Sequence, residues 1–109
     1  MKKNEIIKDR LEEWVESKGF LNSRFTIIEL SKIIGINRTY LSNYINNTYG
    51  LNFNLWINHL RIEEAKQLMG QTPKRSLSEI AERIGFTDLA HFSKQFKLPM
   101  FRKQAELLW

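Results

Sequence analysis

Hydrogen-bonding side chains recur at helical spacing in the middle of the chain. The positions i, i+3, i+4 and i+7 of this pattern are held by Thr39, Ser42, Asn43 and Asn46. Such spacing lies on one face of an α-helix, and Leu41, Tyr44 and Ile45 fall on the opposite face as core. An asparagine amide can bond adenine in bidentate fashion, and a hydroxyl can donate or accept at a base edge. The stripe therefore fits two interpretations, a surface that reads bases in a DNA groove and the solvated face of a surface helix.

Catalytic and metal chemistry find no support in the same sequence. There is no cysteine, and the two histidines, His59 and His91, are far apart along the chain. No nucleophile–base pair, metal-ligand cluster or glycine-rich phosphate loop is recognisable. The sequence predicts no enzyme, no metal site and no cofactor.

Composition permits several binding functions without choosing one. The 109 residues carry 17 Lys and Arg against 12 Asp and Glu, a net charge of +5, and 42% are hydrophobic. That is enough for a core, and no apolar run approaches the ~20 residues of a membrane span. We expect a cytoplasmic domain whose chain makes no membrane contact.

Hydrophobic periodicity predicts helices alone, about seven of them in an all-α fold. Residues 5–18 carry one apolar stripe, and Gly19 follows as a helix stop. A longer helix is predicted over 53–69, with Asn52 as its cap and Gly70 at its end.

An internal repeat organises these helices. Capping boxes at Thr26 and Ser76 lie fifty residues apart, and in each the glutamate three residues on should reach back to the cap. The same offset pairs Gly35 with Gly85, each placed for a left-handed turn. The helices that follow align at an offset of 51, so the second turn is one residue longer. Each unit is a helix, a glycine turn and a second helix, the pattern of a helix-turn-helix.

Two such units joined by one helix resemble the DNA-binding domain of the AraC-type transcription regulators. The resemblance covers about 70% of the chain, and the segments that carry it are 35–45, 49–53, 56–66, 80–88 and 92–97. It implies a bacterial transcription factor with two recognition helices in successive major grooves of double-stranded DNA. The predicted domains are 1–25, an N-terminal helix packing on the first unit; 26–50, the first helix-turn-helix; 51–71, the linker helix; and 72–109, the second helix-turn-helix with a shortened tail.

A linker helix of 17 residues at ~1.5 Å per residue spans roughly 25 Å, suited to two helices about one DNA turn apart. One chain would then bind as a monomer, without a palindromic target.

Arg38, at the start of the first recognition helix, is predicted to contact a guanine edge or a phosphate.

The second recognition helix offers fewer hydrogen-bonding groups. Its predicted DNA-facing residues are Leu89, Ala90, Ser93, Lys94 and Lys97. Leu89 and Ala90 can touch a thymine methyl but cannot read a donor pattern, so the first unit should specify sequence more strongly. Further phosphate contacts are predicted at two helix starts and three basic side chains, namely Thr26, Ser76, Lys74, Arg75 and Arg83. For Arg61 a structural ion pair is favoured over DNA contact.

The end of the chain departs from the AraC-type pattern. After Phe96 the sequence is about five residues shorter than that pattern and lacks its glycine, so we expect a second unit that is short, loosely closed or altered. The apolar tail, Leu107 to Trp109, is expected either to pack back on the domain or to contact a partner.

The alternative function is a protein–protein interaction module on a helix-turn-helix scaffold. We expect RNA polymerase or another domain of a larger regulator as partner, the chain being a fragment of such a regulator or a stand-alone binder.

Overall fold

The computed structural model describes residues 2–86 together with Phe92 and Lys94. Within these residues there are five α-helices, which are α1 Lys3–Glu16, α2 Ile27–Ile34, α3 Arg38–Tyr49, α4 Phe53–Met69 and α5 Leu77–Arg83. One short 3-10 turn, Gly19–Leu21, follows α1. The all-α prediction is confirmed, whereas a total of seven helices is not shown by this part of the chain. None of the described helices has the length and apolarity needed to cross a membrane.

The chain divides into two compact units, Met1–Trp56 and Ile57–Trp109, and the division falls within α4. Asn52 caps α4 as predicted, because its Oδ1 accepts from the Leu55 backbone N–H at 2.9 Å. Both bounds of this helix agree with the sequence prediction.

The first unit has a core of aliphatic side chains beside an aromatic cluster. Each helix of the unit contributes buried side chains, which are Ile7, Leu11, Trp14, Phe20, Leu30, Ile34, Leu41, Ile45 and Trp56. Trp14 is central to the cluster, since its ring lies 5.0 Å from that of Phe25 and 5.9 Å from that of Trp56. This packing fixes α1 against the segments on either side of the first helix-turn-helix.

The end of α1 corrects one sequence prediction. The helix ends at Glu16 and not at residue 18, and the left-handed residue is Lys18, with φ 61°, and not Gly19. Gly19 opens the 3-10 turn instead, and a Cβ at this position would overlap the indole of Trp14. The glycine is therefore explained by close packing and not by a helix stop.

The second unit has its own apolar core. The buried hydrophobic side chains described there are Ile57, Ile62, Ala65, Ile80, Ala81, Ile84, Phe86 and Phe92. Arg61 is only 8% exposed, and its guanidinium lies 5.8 Å from the centre of the Phe86 ring. Burial lowers the pKa of Arg61 from its ordinary value. This buried position fits a structural role, while the ion pair with a nearby acid stays a prediction.

The internal repeat is reproduced in backbone geometry. Gly35 and Gly85 have φ values of 84° and 91°. The next N–H bonds back to the carbonyl five residues earlier in both units, at 3.2 Å from Ile36 to Ser31 and at 3.0 Å from Phe86 to Ala81. These equivalent bonds show two copies of one helix-ending turn.

At the starts of both α2 and α5, only one of the two hydrogen bonds predicted for a capping box is present. Thr26 Oγ1 accepts from the Glu29 N–H at 3.2 Å, and Ser76 Oγ accepts from the Glu79 N–H at 3.1 Å. The glutamate carboxylates have other partners than the predicted cap N–H. Glu29 Oε1 accepts from the Thr26 hydroxyl at 3.3 Å, and Glu79 Oε1 pairs with Arg83 at 3.3 Å.

Candidate nucleic-acid interface

The polar stripe lies on α3, which is well defined at both ends. Asn37 caps its start, because its Oδ1 accepts from the Tyr40 N–H at 2.8 Å. Gly50 ends it in the left-handed region with φ 70°. Leu41 and Ile45 are completely buried, so one face of α3 is committed to the core.

The predicted base-reading residues lie on the remaining surface of α3. Arg38, Thr39, Asn43 and Asn46 are exposed, and Ser42 is half-buried. The Asn46 amide donates to the Ser42 carbonyl at 3.2 Å, a bond within the helix that a base edge can replace. Around the start of α3 an open groove is lined by Asn37, Arg38, Thr39, Tyr40 and Asn43. The structure thus brings together at this groove three of the five residues predicted for this helix.

Tyr40 joins the start of α3 to the start of α1. Its hydroxyl donates to Asn4 Oδ1 at 2.8 Å, and Lys3 Nζ lies 4.0 Å from the centre of its ring. No local sequence pattern predicts this contact, because Asn4 and Lys3 are 36 and 37 positions from Tyr40.

The other end of α3 is anchored by aromatic stacking. The rings of Tyr49 and Trp56 are 5.1 Å apart and nearly parallel, at 11°. Burial raises the pKa of Tyr49, and the nearby Tyr44 and Glu12 raise it further. Held at both ends, α3 presents its polar stripe from a fixed helix.

The second recognition surface is described at only two positions. Phe92 is helical and buried, and Lys94 is helical and exposed. The other residues predicted to face DNA there lie outside the described residues, namely Leu89, Ala90, Ser93 and Lys97.

The predicted phosphate contacts are engaged within the protein. Lys74 Nζ donates to the Met69 carbonyl at 2.8 Å, and an Arg75 guanidinium nitrogen donates to Gln71 Oε1 at 2.9 Å. Arg83 pairs with Glu79, and both side chains are about half exposed, at 51% and 45%. Exposed pairs of this kind are worth about 0.2–1 kcal/mol, so a phosphate can displace them. Thr26 and Ser76 are exposed at the starts of α2 and α5.

The described residues offer groups that can form hydrogen bonds with another molecule. Among residues 2–86 with Phe92 and Lys94, no group of three or more His, Cys, Asp or Glu side chains could hold a metal ion. These residues include α3, a capped helix that follows the glycine turn at Gly35 and carries exposed amide, hydroxyl and guanidinium groups. Fold and surface together define a helix-turn-helix DNA-binding domain.

Comparison with known proteins identifies the family. Residues 30–99 match the family model described as a helix-turn-helix domain. The crystal structure of the C-terminal domain of the two-component response regulator yesN from Fusobacterium nucleatum is similar, with a TM-score of 0.71 and 29% identity. It aligns over 87% of this chain and 96% of that one. The chain belongs to the AraC-type helix-turn-helix family, the DNA-binding domains of bacterial transcription regulators and not a family of enzymes.

Two curated relatives are much longer than this chain. Histidine kinase P4 of Formosa agariphila is 30% identical in an alignment of 101 residues that covers 86% of this chain and 7% of the relative. The Msm operon regulatory protein of Streptococcus mutans is 29% identical over 75 residues, 69% of this chain and 27% of the relative. The chain thus spans about a quarter or less of the length of these relatives.

Proposed function

We propose that α3 enters the major groove of a DNA duplex and reads its sequence. In this proposal Thr39, Ser42, Asn43 and Asn46 contact base edges, and Arg38 binds a guanine edge or a phosphate. The observation that carries it is the division of α3, whose face with Leu41 and Ile45 is buried while the polar stripe is exposed. A helix capped and stacked at its ends also loses little freedom on binding, which favours affinity.

The second unit takes an adjacent major groove in the same proposal. Its contacts are the five residues that sequence analysis assigned to it, which are Leu89, Ala90, Ser93, Lys94 and Lys97. The repeated glycine turn supports a second recognition helix, and the 17 residues of α4 span about 25 Å. One chain would bind as a monomer, and phosphate contacts would come from Thr26, Lys74, Arg75, Ser76 and Arg83.

A protein partner belongs to the proposed function as well. The relatives include a two-component response regulator and a histidine kinase, in which the matching segment accompanies other domains. Ile28 and Ile33 on α2 are 49% and 57% exposed, an unusual pair of apolar side chains on a short helix. We propose that RNA polymerase or another domain of a larger regulator contacts this chain. Use of the scaffold for protein contact alone is the second candidate, favoured by the same two isoleucines.

Selection from random duplex DNA tests the base-reading surface. We expect a site with two parts about one helical turn apart and more sequence information in one of them. Asn43→Ala should relax the preference at one base position, at a cost of about 1–3 kcal/mol if the contact is bidentate.

The matched control for this selection is Asn54→Ala, which removes an exposed asparagine from α4 and should leave the selected motif unchanged. A motif unchanged by Asn43→Ala would contradict the assignment of the reading face. Absence of any duplex binding at low salt would instead favour the protein–protein module.

A further inference from the structure

The first turn of α1 lies beside the DNA-entering end of α3. Tyr40, in the first turn of α3, bonds Asn4 through its hydroxyl and lies under Lys3 Nζ. The same Tyr40 lines the open groove with Arg38 and Asn43. A lysine from the start of the chain is therefore placed next to residues assigned to the major groove.

The electrostatics of this corner favour an anion. Lys2, Lys3 and Arg38 are all exposed cations close to the starts of α1 and α3. The acid of the first turn, Glu5, accepts through Oε2 from the Lys2 backbone N–H at 3.3 Å and so lies against the helix start. Its carboxylate offsets part of the positive potential at the start of α1, but the three exposed cations outnumber this one acid.

We propose that Lys3 binds a DNA phosphate at the edge of the major groove that α3 enters, which makes the first turn of α1 a second contact surface for DNA. The proposal rests on the function proposed above, since it needs α3 in a groove. DNA is the occupant because the exposed cation lies beside a base-reading helix, and a duplex carries one negative charge per ~1.7 Å of its axis.

The contact between Lys3 and Tyr40 allows the lysine ammonium to move from the ring to a DNA phosphate. An exposed cation over an aromatic ring is weakly held, and the four-carbon lysine stem can turn its ammonium toward a phosphate while staying on the ring. The bond between Tyr40 and Asn4 is independent of Lys3, so α1 stays in place when the ammonium moves. Phosphate binding here would add affinity and orientation without reading sequence.

The test measures how binding of the full chain to duplex DNA depends on salt. Fluorescence anisotropy would compare a selected duplex with a scrambled one over a range of about 50–200 mM salt. Lys3→Met keeps an unbranched side chain on the Tyr40 ring and removes the charge, whereas Lys3→Arg keeps both. Lys8→Met is the matched control, an exposed lysine of α1 five positions on and about 140° around the helix.

The expected result is that Lys3→Met lowers the slope of log affinity against log salt by about 0.9. The loss of affinity should be equal for both duplexes, with the thermal midpoint unchanged. Lys3→Arg and Lys8→Met should keep the slope of the unchanged protein. An unchanged slope for Lys3→Met, with DNA binding intact, overturns this proposal and leaves the proposed function standing. An equal decrease for Lys8→Met also overturns it, because a diffuse charge effect then suffices. If the unchanged chain binds no duplex, both proposals fail.

Discussion

The two helix-turn-helix units share their inward geometry and differ on their outward faces. At matched positions fifty residues apart, Leu30 and Ile80 are buried, as are Ile34 and Ile84. The outward positions diverge, because Ile33 in the first unit corresponds to Arg83 in the second. Ile33 is 57% exposed, whereas Arg83 pairs with Glu79.

This difference distinguishes the residues that the glycine turn needs from the exposed residues that it does not need. A glycine turn between two helices needs apolar side chains beneath it and a left-handed residue at its corner, and both units supply them. Nothing in that geometry demands an exposed isoleucine on α2. The exposed isoleucines Ile28 and Ile33 therefore support the proposed contact with a protein partner, whereas the Glu79–Arg83 pair suits a solvated surface.

The largest expected effect comes from matched core truncations. Ile34→Ala and Ile84→Ala remove completely buried side chains at equivalent positions, and each should lower the free energy of unfolding by about 2–5 kcal/mol. Urea unfolding followed by circular dichroism would measure both. Similar losses would show that the two turns depend equally on their cores.

The neighbouring Ile33→Ala serves as the control for Ile34→Ala. It makes the same substitution on the exposed face of α2, where the effect on stability should stay within about 0.5 kcal/mol. A large loss at Ile33 would contradict the division of α2 into a core face and a free face.

Local signals predicted much of the fold. The bounds of α4 were predictable because Asn52 and Gly70 flank an apolar pattern of helical spacing, and the two glycine turns because the offset of fifty repeats. The end of α1 was predicted wrongly because Gly19 is required by close packing against the indole of Trp14, which no glycine-stop pattern reveals. The partners of Glu29 and Glu79 also differed, since a carboxylate at a helix start can bond a hydroxyl or an arginine as well as the cap N–H.

The candidate site was predictable where it follows a helical period. Exposure of Thr39, Asn43 and Asn46 opposite buried Leu41 and Ile45 follows from spacing alone. Contacts that join separate helices were not predictable, because they depend on how the helices pack. The approach of Lys3 to Tyr40 is of this kind, and it extends the candidate surface beyond the recognition helix.

A smaller effect is expected at the turn glycines. Gly35→Ala and Gly85→Ala place a Cβ on left-handed backbone, which should cost about 1–2 kcal/mol each in the free energy of unfolding. At Gly35 the new Cβ would also come within 3.0 Å of an Arg10 guanidinium nitrogen that donates to the Ile34 carbonyl, so the first unit should lose slightly more.

Gly70→Ala is the control for both turn variants. Gly70 is not on left-handed backbone, and its Cβ would meet only ordinary contacts at 3.6 Å or more, so stability should hold or rise. Equal losses for all three glycines would mean that the left-handed turns are not special.

The smallest expected effect concerns the alkaline stability of the first unit alone. All three tyrosines, Tyr40, Tyr44 and Tyr49, lie in that unit. The pKa of Tyr49 is raised above the ordinary value of 10.0, chiefly by burial, so the folded chain holds the phenolic proton more tightly than the unfolded chain does. The stability from this difference is complete below about pH 10 and is lost as the pH rises through the folded pKa.

Tyr49→Phe isolates this contribution because it keeps the stacking ring and removes the titrating hydroxyl. Between about pH 9 and pH 11 the free energy of unfolding of the unchanged chain should fall more than that of the variant, since every other titration is common to both. Parallel pH profiles would show that the Tyr49 hydroxyl is as well solvated in the folded chain as in the unfolded one. Steeper loss in the unchanged chain would instead place the end of α3 in a partly dry aromatic environment. Such an anchor would hold α3 rigid, which favours the proposed entry of this helix into the major groove.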